Sequence, residues 1–136
     1  MTYAVIDTNV IVASLLTRNH DSATVRVMDA VYSRMVIPLV NDAILAEYAD
    51  VLHRSHLKLD PAKCEFIISL MTDIGLYFDP VSSEEPMPDE EDRVFFEVAL
   101  AGRNQGDAHL VTGNMRHYPP ASFVVTPAQF CELRGI

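Results

Sequence analysis

The chain has 136 residues, 49% apolar and 21% charged, with 19 acidic against 10 basic side chains and a formal net charge of −9. That size and composition suit one packed domain with a sizeable core and exclude a disordered chain. The acidic balance excludes attraction of polyanions by overall positive charge, so a nucleic-acid substrate needs metal ions on clustered carboxylates or a local basic rim.

In chain order, the opening run Tyr3-Ala4-Val5-Ile6-Asp7-Thr8-Asn9-Val10 reads as an apolar strand over residues 3–7 that stops at a carboxylate, with a helix over 9–16. Helical patterns follow over 22–34, 42–54, Pro61–Ile74, 90–102 and 128–133, and short strands over 35–40, 76–78, 110–112 and 123–125. Strands separated mostly by helices imply a five-stranded, mainly parallel sheet, with right-handed crossovers carrying helices to both faces. Asp60-Pro61 reads as an N-cap followed by Pro at the first helical position, and Gly75 and Gly102 each suit a helix C-terminus. Residues 80–91, rich in Pro, Ser and acid, read as a loop rather than a domain boundary.

Met35 and the Tyr and Phe residues at helical spacing are expected in the core. Cys64 and Cys131 match no metal or disulfide spacing and read as packing thiols. No secretory signal and no membrane span is legible, so a cytoplasmic location is expected.

Four positions compose a candidate site: Asp7, Glu47, Asp92 and the polar turn Thr112-Gly113-Asn114. In a parallel sheet, the carboxyl end of the first strand borders the crevice where ligands bind. Asp7 equally suits a helix N-cap, a position that Ser, Thr, Asp and Asn dominate. Glu47 sits at the edge of a buried stripe formed by Ile44, Leu45, Tyr48, Val51 and Leu52, whereas Asp50 points away from it. A boundary residue with a packed stem is the plain alternative for Glu47.

Within Asp89-Glu90-Glu91-Asp92, acids are favoured by the helix dipole whatever their function. Asp92 stands apart because Phe96 and Ala99 follow four and seven residues on, which puts it on the face that docks against the sheet. Asp89 reads as the N-cap, and Glu90 and Glu91 as solvent-facing. Carboxylates about 5 Å apart repel by roughly 3 kcal/mol at an effective dielectric near 20. A divalent cation reverses that sign, and oxygen ligands without a His or Cys cluster select Mg²⁺ or Mn²⁺, which points to metal-assisted phosphodiester hydrolysis.

These residues together resemble the PIN-domain nucleases, most closely the branch of toxin components of bacterial toxin–antitoxin systems. The resemblance rests on Ile6-Asp7-Thr8-Asn9-Val10, Glu47-Tyr48-Ala49-Asp50-Val51-Leu52, the acidic helix start through Asp92, and Leu110-Val111-Thr112-Gly113-Asn114. It implies a three-layer α/β/α sandwich with the first and fourth strands adjacent, and one or two Mg²⁺ or Mn²⁺ ions held by Asp7, Glu47 and Asp92. It also implies an RNA substrate, an antitoxin protein as partner and a homodimer. Asn114 stands where many relatives carry a fourth Asp, which keeps an oxygen donor but loses a charge. Thr8, Asn9 and Thr112 would orient ligands or water, with Asp89 a possible outer ligand.

Arg116, His117 and Tyr118 read either as phosphate contacts, for which Arg is suited, or as rim residues. The basic stretch His53, Arg54, His56, Lys58 and Lys63 reads either as a guide for RNA or as cations favoured by a helix C-terminus. A zinc site on His53 and His56 lacks further ligands. Two rival functions stay open. A phosphatase with Asp7 as nucleophile is disfavoured by Asn9, where the haloacid-dehalogenase-like pattern needs a second Asp. A PIN-like binding or scaffold protein with a metal-poor site draws support from Asn114.

Overall fold

The computed structural model describes residues 2–136. Strand β1 (Thr2–Ile6) leads into helices α1 (Thr8–Leu16) and α2 (Ala23–Tyr32), then β2 (Val36–Val40), α3 (Asp42–Leu52) and α4 (Pro61–Ile74). After β3 (Leu76–Tyr77) the acidic loop runs to α5 (Arg93–Arg103), followed by β4 (Ala108–Val111), β5 (Val124–Val125) and α6 (Pro127–Arg134). Single 3₁₀ turns lie over Ser55–Leu57, Glu90–Asp92 and Met115–His117. The strands pair in the order β3-β2-β1-β4-β5, every pairing parallel. This is the α/β architecture that the alternating pattern implies, with β1 against β4 at the centre.

The order of the strands dictates where the helices go. β1, β2 and β3 step in one direction, so right-handed crossovers place α1, α2 and α4 on one face. There α2 packs between α1 and α6, and its Tyr32 meets Phe66 of α4 edge-on with ring centroids 6.2 Å apart. The return from β3 to β4 carries α5 to the opposite face, where it crosses β1, β2 and β4. Ala4, Val5 and Ile6 are fully buried, as a central parallel strand covered on both sides requires.

Local sequence sets most helix starts. The side chains of Ser22, Asn41, Asp60 and Thr126 each accept a backbone N–H of the helix they precede, α2, α3, α4 and α6. Each such bond satisfies a donor that would otherwise have no partner in the first turn. Asp89 does the same for the 3₁₀ turn that leads into α5. Cys64 and Cys131 are buried free thiols, as expected.

Several expectations are corrected. Gly102 lies in the last turn of α5, one residue before its end at Arg103, but it does not cap the helix: a Cβ there would lie 2.3 Å from Leu39 Cδ1 and 3.0 Å from Ala108 Cβ. The glycine is there for a close approach of helix to sheet. Gly75 does end α4, but in extended backbone (φ −66°, ψ 146°) wedged against Val40, not in the left-handed form that favours glycine. Met35 is 60% exposed because β2 begins one residue later and leaves it in the preceding turn. Phe66 and Tyr77 are exposed too, the latter on the edge strand β3. The helix expected over 90–102 begins as the 3₁₀ turn before α5. Among the described residues, no helix is long and apolar enough to cross a membrane.

Candidate active site

The sheet's direction of winding reverses between β1 and β4, and the site lies at the carboxyl ends of these strands. Asp7 follows β1 directly and is held to β4 by its backbone N–H, which donates to the Val111 carbonyl at 2.9 Å. It occupies the N-cap position of α1, yet its side chain caps nothing. Instead, Oδ2 accepts from Thr112 Oγ1 at 2.8 Å, Tyr118 OH at 3.0 Å and Asn9 Nδ2 at 3.2 Å. The carboxylate is 5% exposed, and among the described residues Oδ1 receives no hydrogen bond. One oxygen is therefore tied into the protein and the other is left for something else.

Asn9 and Thr112 knit the two strand ends together. Asn9 Oδ1 accepts the Gly113 N–H at 2.8 Å, and Thr112 Oγ1 accepts the Asn114 N–H at 3.0 Å while donating to Asp7. Asn9 is thus a bridge between the two loops, which is a use for Asn where the phosphatase pattern needs Asp.

Glu47 comes from α3, beside the same edge. Its neighbour Tyr48 is fully buried, packs on Phe95 and donates its hydroxyl to the Ile6 carbonyl at 2.5 Å. This bond anchors α3 to the last residue of β1 and thereby sets Glu47 beside Thr8, whose hydroxyl donates to Glu47 Oε2. Burial raises the Glu47 pKa, Asp7 and Glu91 raise it further, and the Thr8 bond and the Arg54 charge oppose them. Glu91, expected to face solvent, is indeed exposed, but it stands near enough to be felt at Glu47.

Asp92 sits at the N-cap position of α5, and again its side chain makes no cap bond. Its pKa is pushed up to about 6, first by burial and then by Asp7, Asp89 and Glu47, with His117 pulling the other way. Nδ1 of His117 lies 3.4 Å from Asp92 Oδ2, and Nε2 lies 2.9 Å from Asn114 Nδ2. An Asn114 amide that donates to Nε2 would leave Nδ1 of the imidazole turned toward the carboxylate. Asn114 is therefore joined to the acidic set through His117. Arg116 is exposed beside them.

Asp7, Glu47 and Asp92 thus share one end of the sheet, together with Thr8, Asn9, Thr112 and Asn114. They are not drawn tightly around a point. Among the described residues, no three His, Cys, Asp or Glu side chains are gathered closely enough to hold a metal ion as they stand. Each carboxylate has different neighbours: Asp7 accepts from Thr112, Tyr118 and Asn9, Glu47 accepts from Thr8, and Asp92 has the His117 imidazole 3.4 Å away. The set nonetheless fits a hard divalent ion. Its donors are all oxygens, Asp7 Oδ1 is free, and Asp7 opposes ionisation of both other acids, a cost that a cation removes.

Tyr118, which the sequence leaves between phosphate contact and rim, belongs to the inside of the site. It is buried, and burial together with Asp7 and Asp92 drives its phenol pKa far above the usual value, so it stays a donor. The available signal was an aromatic residue just before Pro119-Pro120, after the polar turn of β4.

The strand order places the chain among α/β proteins with a switch point in a parallel sheet, the usual place for a ligand crevice in such folds. Among these, the PIN domain matches residues 3–116, and the chain belongs to the PIN-domain family, a family of nucleases that typically depend on divalent metal ions. The match runs from β1 past Asn114 and stops just before His117 and Tyr118. No curated protein and no solved structure matches the chain.

Proposed function

We propose that the protein is a divalent-metal-dependent endoribonuclease that hydrolyses RNA phosphodiester bonds with Mg²⁺ or Mn²⁺, as the toxin of a toxin–antitoxin pair. The observation that carries this reading is the placement of Asp7 and Asp92. Both stand at helix starts without capping them, and with Glu47 they face the same sheet edge.

Asp7, Glu47 and Asp92 are the residues that would hold the ion, with Asn114 as a neutral oxygen donor beside them. A bound divalent ion supplies Lewis acidity, lowering the pKa of water and neutralising charge on the phosphate. The chain's own work is orientation. Tyr118, Thr112 and Asn9 fix Asp7 with one oxygen facing outward, and Thr8 sets the rotamer of Glu47. His117 and Arg116 stand at the mouth, where an imidazole and a guanidinium suit a phosphodiester. Asp89 serves as a cap.

The RNA substrate, the antitoxin and a homodimer in the cytoplasm rest on the resemblance to the toxin branch. An antitoxin would quiet such a pocket by inserting an Arg or Lys, or an acidic segment that competes with the carboxylates. The scaffold reading is favoured by two observations, Asn114 in place of a fourth acid and carboxylates that do not enclose an ion as they stand.

Thermal melting separates the two. Mg²⁺ or Mn²⁺ raises the melting temperature of the native chain and not of Asp7→Asn, and RNA is cut only with the metal present. Equal responses of the two proteins, with no cleavage, would leave the scaffold reading.

A further inference from the structure

A groove opens directly beside the acidic edge. Its volume is about 380 Å³, and it is lined by Asn9, Val12 and Leu16 of the first helical turn onward, Val51 of α3, and Arg54 and His56 beyond it. Asn9 belongs to both places, since its amide donates to Asp7 and accepts from Gly113. The floor is aliphatic, and Leu16 is left 53% exposed on it.

The far wall is cationic, in a chain whose net charge is −9. Arg54 stands just beyond the end of α3, the helix that carries Glu47, so the groove is joined to the carboxylates through both Asn9 and α3. Its partner Asp50, at 3.1 Å across one helical turn, is itself largely exposed, so the guanidinium is loosely held and can turn to another anion. On the other side of Arg54 a smaller cavity of about 200 Å³ is lined by His53, Ser55 and Lys58. The two cavities share Arg54, so Lys58 adds a second cation close to the groove. A volume of this size takes one nucleotide, not a duplex; grooves for single strands pair a platform for the base, most often aromatic and here aliphatic, with cations for the backbone.

We propose that this groove seats the nucleotide next to the scissile bond of a single-stranded RNA, its base on Val12, Leu16 and Val51 and its outer phosphate on Arg54 and His56. The proposal rests on the nuclease reading and adds where the substrate strand runs.

The test is binding of a fluorescein-labelled single-stranded oligoribonucleotide to the full chain in chelator, measured by anisotropy across a salt series. Arg54→Gln weakens binding about fivefold and reduces the slope of log K against log salt by about 0.7, the loss of one phosphate contact on a single strand. Leu16→Ser weakens binding by a factor of about three with the slope retained, because it removes apolar contact alone. Arg26→Gln on α2, whose guanidinium bonds the Ile136 carbonyl, removes the same charge elsewhere and binds like the parent.

An unchanged slope in Arg54→Gln, an equal loss in Arg26→Gln, or no binding by the parent overturns the groove. The nuclease reading is judged separately, by Mn²⁺-dependent hydrolysis of bis(4-nitrophenyl) phosphate, a diester with no flanking nucleotide. Hydrolysis of that diester together with any of the three adverse binding results sinks the groove alone. Hydrolysis of neither the diester nor RNA sinks both.

Discussion

Helices α2, α3, α4 and α6 begin with a side chain bonded to their own first turn, whereas α1 and α5 begin with aspartates that leave that turn alone. The residue types are the same at both kinds of start, and Asp60 before α4 is as good an example as Asp7 before α1. What differs is the surroundings. Asp60 stands in water and bonds to Ala62, while Asp7 is buried and receives two side-chain donors from far along the chain, Thr112 and Tyr118, besides the neighbouring Asn9. On the proposed reading, an acid that gives up the roughly 1 kcal/mol a cap contributes, and is buried near two others, is held for a ligand at the expense of stability.

Substitutions at the two kinds of start test that contrast. Asp7→Asn should abolish metal-dependent RNA cleavage, on the order of 10³-fold, because losing an ion ligand removes several kcal/mol of charge stabilisation. The contrast breaks if that variant cuts RNA like the parent.

Asp92→Asn should lose about 10²-fold in cleavage while making the metal-free protein more stable. With its pKa at about 6 in the fold against an ordinary value near 4, Asp92 holds its proton more tightly when folded. Its contribution is therefore fully present below about pH 4 and lost as pH rises through about 6. Screened by solvent, the loss is about 1 kcal/mol, so at pH 7.5 the Asn variant should melt about 3 °C higher, and the difference should vanish by pH 4. Scanning calorimetry in chelator across that range checks both the size and the sign.

Tyr118→Phe keeps the ring and removes one donor from Asp7 Oδ2. It should weaken Mn²⁺ binding about tenfold, read by calorimetric titration, as outer contacts to ion ligands usually do. Asp60→Ala is the counterpart at an ordinary helix start. It should lower the melting temperature by about 3 °C, from about 1 kcal/mol of lost capping, with RNA cleavage within about twofold of the parent.

Much of the fold was legible because its determinants are local. Apolar runs such as Ala4-Val5-Ile6 mark buried strands, Asp60-Pro61 marks a helix start, and the alternation of the two marks a parallel sheet. Gly102 was misread because its reason is the side chain of Leu39, more than sixty residues away in the chain. Met35 was misread because a single residue separates the β2 pattern from the turn. The acids themselves were visible as types and positions. Whether Asp7 caps or faces a site was not, since the same residue serves both and only Thr112 and Tyr118, over a hundred positions later, decide it. Tyr118 has no periodic partner to announce it, and the neighbourhood of Glu91 and Glu47 depends on how α3 and α5 lie across the sheet.

The contact at Gly102 reaches further than packing. Asp92 lies ten residues back along the same rod, about 15 Å at 1.5 Å per residue. A stiff rod seated at one end fixes the height of its other end, so Leu39 and Ala108 act as a stop that gauges how far Asp92 leans over the sheet. Gly102→Ala would lift the rod off that stop, and the carboxylate would be shifted by a methyl group inserted some three helical turns from it.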